Sequence, residues 1–190
     1  MENSFSLSNG RTLKIVHDTN SENPRVWDNL TQMIFIGSKK GLGDEHNYRV
    51  SDFIDWDEAK KTISKDLDVA IIKPVYLYSH SGETISTKPF TCRWDSGQIG
   101  FVVITKKLIR QEYSTKYVLK KHIALAESVL DGEIETLDTF VTGEIYGFEL
   151  EDEDENTLDS CYGFFGSDLK TNGILDNLSE EDKNEVINQL

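Results

Sequence analysis

An α+β fold, a mostly antiparallel β-sheet with one long amphipathic helix packed on a face, is what three features of this 190-residue sequence predict. Short β-like runs recur between turn residues. Residues 119–141 keep helical spacing over about six turns. Two further strand-like runs, 144–150 and 158–165, flank an acidic stretch and read as a hairpin. With no internal repeat and no low-complexity linker, residues 1–190 read as a single α+β domain whose portion 126–190 is acidic.

In chain order, Leu13 to Val16 reads as a short strand, and Asn23-Pro24 as a turn signal. Thr31 to Ile36 reads as a strand ended by Gly37. Residues 37–50 form a polar, glycine-containing loop. Its Gly37, Gly41 and Gly43 look phosphate-loop-like, but the spacing is wrong for that motif. Ser51 is the expected N-cap of a helix using Phe53, Ile54, Ala59 and Ile63, with Lys60, Lys61 and Lys65 toward its end. Val69 to Tyr78 is strongly β-like, and Pro74 demotes part of it to an edge or a bulge. Ser81-Gly82 marks a tight turn, and Thr84 to Thr87 returns antiparallel. Ile99 to Thr105 is the clearest buried strand.

The pattern then changes. Leu119, Ile123, Ala126, Leu130, Ile134, Leu137 and Val141 recur at intervals of three and four, and Gly143 stands where a terminating glycine belongs. Ser179 to Asp182 is a capping-box-like start to a last short helix.

Composition narrows the function classes. Lys and Arg number 20 against 34 Asp and Glu, a net of −14. That argues against a nucleic-acid or anionic-membrane surface as the main partner. No apolar run approaches the roughly 18 residues a spanning helix needs, and the N-terminus has no apolar signal-peptide region. Cys92 and Cys161 form no metal-spacing motif and fit a reducing compartment as thiols, a single bridge between them being the alternative. No cofactor and no metal are expected.

The charge is unevenly placed. Residues 1–125 carry 18 basic and 15 acidic side chains; residues 126–190 carry 2 basic and 19 acidic, a net of −17. Glu149 and the run Glu151, Asp152, Glu153, Asp154 and Glu155 are densest. Adjacent like charges cost about a few tenths of a kcal/mol per pair on exposed elements. A solvated tip that maintains solubility is one reading. An anionic face that docks a basic surface, standing where phosphates would, is the sharper one. Asp152, Asp154 and Asn156 match the first ligands of an EF-hand loop, but Thr157 and Gly163 occupy the positions that need Gly and Glu, so that motif is rejected.

Residues 76–100 hold the other dense segment. A catalytic reading takes Cys92 as nucleophile, His80 as base and Asp95 or Glu83 as orienter. The plainer reading makes Cys92 core filling, His80 a hairpin end and Asp95-Ser96-Gly97 a turn. Trp94 fits either the core or an exposed anchor.

The blocks PFTCRWDSGQIGFV, TGEIYGFELED and DSCYGFFG, in this order, resemble an acidic family of bacteriophage and mobile-element proteins with no established activity. The resemblance covers roughly residues 70–170. It implies an anti-defence role of anti-CRISPR or antirestriction type, in which small acidic proteins often act without catalysis and some mimic DNA.

The resulting expectation is a non-enzymatic inhibitor in the cytoplasm of a bacterial host. It would bind the basic surface of a nucleic-acid-binding protein or nuclease complex through Glu149, Glu151, Asp152, Glu153, Asp154 and Glu155, with Trp94 as an anchor. It would touch neither nucleic acid nor membrane directly. Lys39, Lys40, Lys60, Lys61 and Lys65 make docking of the acidic run within a homodimer electrostatically sensible. The alternatives are a small cysteine/histidine-dependent enzyme built on residues 76–100 and a regulatory module with no charge-based partner.

Overall fold

A computed structural model describes residues 3–37 and 39–190, the Lys40 side chain excepted. Ser38, within the glycine-containing loop, lies outside the described residues. The chain forms two compact units, one made of residues 1–23 and 142–190 and the other of Pro24–Val141. The fold class is α+β, as the sequence predicts. The strands divide between two four-stranded antiparallel sheets.

In the discontinuous unit, β1 (Asn3–Ser6), β2 (Thr12–His17), β7 (Ile145–Glu151) and β8 (Thr157–Phe165) lie side by side in that order. The predicted β7–β8 hairpin is present. β1 is an element the sequence pattern did not show, since four residues with one apolar side chain carry no periodicity. One face of this sheet presents Phe5, Leu13, Ile15, Tyr146 and Phe148 to a core closed by Leu169, Ile174, Leu175 and Val186. Val186 belongs to α4 (Glu180–Ile187), whose N-cap Ser179 accepts from the Asp182 amide as expected.

In the Pro24–Val141 unit the sheet order is β3 (Gln32–Phe35), β6 (Ser96–Thr105), β4 (Val69–Ser79), β5 (Glu83–Ser86). β6 alternates perfectly between two apolar layers. Val102 and Ile104 face one core; Phe101 and Val103 face another. Burial on both faces is why the strand reads as a continuous apolar run. α1 (Trp56–Asp66) covers the second face with Ala59 and Ile63. α2 (Lys106–Glu112) contributes Ile109 to the first face, and α3 (Lys120–Thr142) contributes Ala126, Leu130, Ile134 and Leu137. Burying one such aliphatic side chain contributes about 1.5–3 kcal/mol.

Two starts differ from expectation. α1 is capped by Asp55, which accepts from the Glu58 amide, with Asp57 and Glu58 in the first turn. Ser51 lies in a separate short 3-10 turn, Val50–Asp52. A carboxylate at the cap and two more in the first turn favour the later start. Leu119 precedes α3 and is half exposed. Its place on the buried stripe begins only at Ile123, because the helical register starts with Lys120.

Pro74 behaves as the pattern suggested. It pairs with Phe101 of β6, whereas β5 reaches only Tyr76–Ser79, so among the described residues no strand pairs with the other side of Pro74, and a register shift follows at Val75/Tyr76. Gly143 closes α3 with φ 74, a left-handed conformation that favours glycine. Gly100 meets a different demand. A Cβ there would stand 2.0 Å from the Ile34 carbonyl oxygen, so only glycine lets β6 approach β3.

A buried polar knot ties the start of this unit to α3. Arg25 forms a two-point pair with Asp44 at 2.8 and 3.0 Å and reaches Glu133 at 3.2 Å. Glu133 in turn accepts from the amides of Leu30 and Thr31.

Candidate acidic binding surface

The charge asymmetry follows the packing. The discontinuous unit holds 4 Lys and Arg against 17 Asp and Glu, a net of −13; Pro24–Val141 holds 16 against 17, a net of −1. Ion pairs within the acidic unit include Arg11–Asp182, Lys14–Glu151 and Lys183–Asp176. With 4 basic side chains for 17 carboxylates, most of the negative charge has no lysine or arginine of the unit to offset it.

The six acids singled out from the sequence separate into two groups. Glu149 and Glu151 lie on the sheet face opposite the core, because the strand alternation puts Tyr146, Phe148 and Leu150 on the other side. Glu149 accepts the Tyr162 hydroxyl. That bond, then burial, raises the Tyr162 phenol above its ordinary value of 10.0. Glu151 is only 8% exposed and pairs with Lys14 at 2.6 Å. The bond to Glu151 raises the Lys14 ammonium above its usual 10.5, against an opposing effect of burial.

Asp152 is the keystone of the hairpin turn. Its carboxylate accepts from the Asp154 amide at 2.9 Å, the Asn156 amide at 2.8 Å and the Asn156 side-chain amide at 3.0 Å. The Asn156 contacts foremost hold its carboxyl below the ordinary 3.8. Glu149, Glu151 and Asp152 thus serve the fold. Glu153, Asp154 and Glu155 are exposed, and their carboxylates hold no hydrogen bond or ion pair among the described residues.

Packing extends this tip in a direction the sequence did not show. The Glu153 side chain lies against Gly10, where an added Cβ would stand 2.0 Å from its Oε1. Ser8, in the same turn, donates its amide to Glu185 of α4 at 2.7 Å. Arg11 grips the buried Asp182 of α4 through two nitrogens at 2.7 and 3.1 Å. The turn at residues 8–11 therefore touches both the hairpin tip and α4. Glu153, Asp154 and Glu155 on the tip and Glu180 and Glu181 in the first turn of α4 are all exposed. Contacts 171 to 177 residues apart leave no local signal; only the Ser179–Asp182 cap hinted at the helix.

Trp94 belongs to the other unit. It is 97% exposed, beside a shallow depression of about 270 Å³ that Leu77, Gln98 and Ile99 also line. The core alternative for Trp94 is thereby corrected: a loop between β5 and β6 carries it clear of both apolar layers.

His80, Cys92 and Asp95 do converge, on Asp95. The Cys92 thiol donates to Asp95 Oδ2 at 3.3 Å, and His80 Nδ1 stands 3.6 Å from the same oxygen. The order is thiol–carboxylate–imidazole, whereas a cysteine–histidine site needs the imidazole between the other two. Glu83 is engaged elsewhere, with Lys39 and the Ser79 hydroxyl. Lys39 pulls the Glu83 carboxyl below 4.5. Both cysteines are free thiols. Among the described residues no group of three or more His, Cys, Asp or Glu side chains is placed to hold a metal ion. No helix among them is long and apolar enough to cross a membrane.

Comparison with known protein families, characterised proteins and solved structures found no match to the chain.

Proposed function

We propose that this chain is a non-enzymatic binding protein whose acidic unit docks on the basic surface of a nucleic-acid-handling protein in a bacterial host, in the manner of an anti-defence inhibitor. The observation that carries the reading is a net of −13 gathered into one folding unit, 17 carboxylates against 4 basic side chains. Carboxylates exposed on an ordered hairpin tip present anionic charge without a folding cost on binding. Such a surface raises encounter rates with a cationic partner and competes with phosphates for it. The resemblance to mobile-element proteins supports the choice of a defence complex as partner.

The test is capture from bacterial lysate at low and high salt by the full chain and by a variant carrying Glu153→Gln, Asp154→Asn, Glu155→Gln and Asp159→Asn. These side chains are exposed, so the variant should fold. Salt-sensitive capture of a nucleic-acid-binding complex, lost in the variant, is the expected result. Capture indifferent to both salt and charge removal would refute it.

The alternative reading, a small thiol-dependent enzyme, is opposed by the Asp95 carboxylate standing between Cys92 and His80. Labelling of Cys92 at the rate of an ordinary cysteine is therefore expected; fast alkylation that vanishes in His80→Ala would support the enzyme instead.

A further inference from the structure

We propose that the cleft between α2 and the start of α3 binds a nucleotide, with its phosphates on Arg110, Lys116 and Lys120 and its base against Tyr117. The inference is independent of the acidic unit, since every residue it uses lies in Pro24–Val141.

The cleft has a volume of about 450 Å³, within the roughly 300–1,000 Å³ of small-molecule sites. Its floor is apolar, formed by Val69, Ala70, Val118 and Ile123. Its rim is cationic, with Lys106, Arg110, Lys116 and Lys120, and no carboxylate lines it. Asp68, just outside, neutralises Lys106 at 2.5 Å. The other three cations have no ion-pair partner among the described residues. Residues 106–121 carry six Lys and Arg against one acid, Glu112, in a chain whose net charge is −14.

Two further features bear on the ligand, one on its charge and one on its flat part. The first turn of α3 holds Lys120 and Lys121 and no acidic residue. Cations at a helix N-terminus oppose the macrodipole, which prefers negative charge there. A bound phosphate offsets both the dipole and the mutual repulsion of the lysines. The aromatic side chain at the rim, Tyr117, is 65% exposed, with Lys116 Nζ 5.5 Å from its ring centre. An exposed ring beside a cation is a stacking platform for a base. Phosphate for the cations and a flat base for the ring are the two halves of a nucleotide, taken free or within a single strand.

The experiment is calorimetric titration of the full chain with ATP, AMP, adenosine, inorganic phosphate and a twelve-residue oligothymidylate. Affinity is expected to fall from ATP to AMP to adenosine. Lys116→Glu with Lys120→Glu should weaken ATP by at least about tenfold. Tyr117→Ala should weaken nucleotides and leave phosphate unchanged. Lys60→Glu with Lys61→Glu, on α1, should change nothing, which separates this cleft from general surface charge. Oligothymidylate binding more tightly than ATP would make a single strand the source; the reverse would make it a free nucleotide. No heat at millimolar nucleotide, or inorganic phosphate equalling ATP in wild type, would overturn the proposal. So would an effect of the α1 variant equal to that of the cleft variant.

Discussion

Removing the Glu133 carboxylate should open the polar knot that joins residues 24–31 to α3. The Glu133 side chain is 14% exposed and the Arg25 side chain 5%. Its oxygens accept from the Leu30 amide at 2.7 Å, the Thr31 amide at 3.2 Å and Arg25 at 3.2 Å, and also from the Thr31 hydroxyl. In Glu133→Ala two amides and a hydroxyl lose their acceptor, while Arg25 keeps Asp44 and both oxygens of Thr31. Hydrogen bonds to a charged group contribute about 1.5–3 kcal/mol each. Their simple sum overstates the loss, because freed groups at this partly exposed site take up water. Breaking a buried pair costs about 3–5 kcal/mol, and the surviving Asp44 contact points to the lower end, about 3 kcal/mol. For a domain of this size that corresponds to a fall of about 10 °C in Tm. Glu133→Gln keeps one carbonyl acceptor and should lose about half as much. Urea unfolding followed by tryptophan fluorescence reads this unit directly, since Trp27, Trp56 and Trp94 all lie within it. A loss below about 1 kcal/mol at unchanged m-value would refute the reasoning and show the knot to be solvated.

Two further outcomes follow from the hairpin. Asp152→Ala should speed amide exchange at Asp154 and Asn156, whereas Glu153→Gln, Asp154→Asn and Glu155→Gln should leave it slow; equal effects would make Asp152 one more surface charge. Because the folded Asp152 carboxyl lies below 3.8, its contribution is complete above that pH and is lost as pH falls through the lower folded value, so exchange should accelerate only in that acid window. At the alkaline end, the raised Tyr162 phenol means that its bond to Glu149 contributes fully below 10.0 and fades as pH rises through the folded value. In an NMR titration, Glu149→Gln should therefore move the Tyr162 midpoint down toward 10.0; an unmoved midpoint would disprove the pairing.

How legible the molecule was depends on the range of the interactions involved. Pattern and turn chemistry are local, and they sufficed for the α+β class, the β7–β8 hairpin, the α4 cap, the Gly143 terminus and the open edge at Pro74. The long stripe of α3 was readable because four of its residues, Ala126, Leu130, Ile134 and Leu137, face one core at helical spacing. α2 was not, since seven residues cover barely two turns and directly follow an apolar strand. With α2 went the cationic cleft.

The sequence by itself determined how much negative charge the chain carries and that it concentrates after residue 125. Only the tertiary structure decided what that charge can do. It joins residues 1–23 to 142–190, so the acids gather in one unit while Pro24–Val141 is left nearly neutral. It assigns Glu149, Glu151 and Asp152 to the fold and leaves Glu153, Asp154 and Glu155 exposed on the hairpin tip. A carboxylate looks the same in a sequence whether it caps a turn, pairs with a lysine or faces water. Which of these it does depends on partners brought close by folding, here as far apart as Ser8 and Glu185.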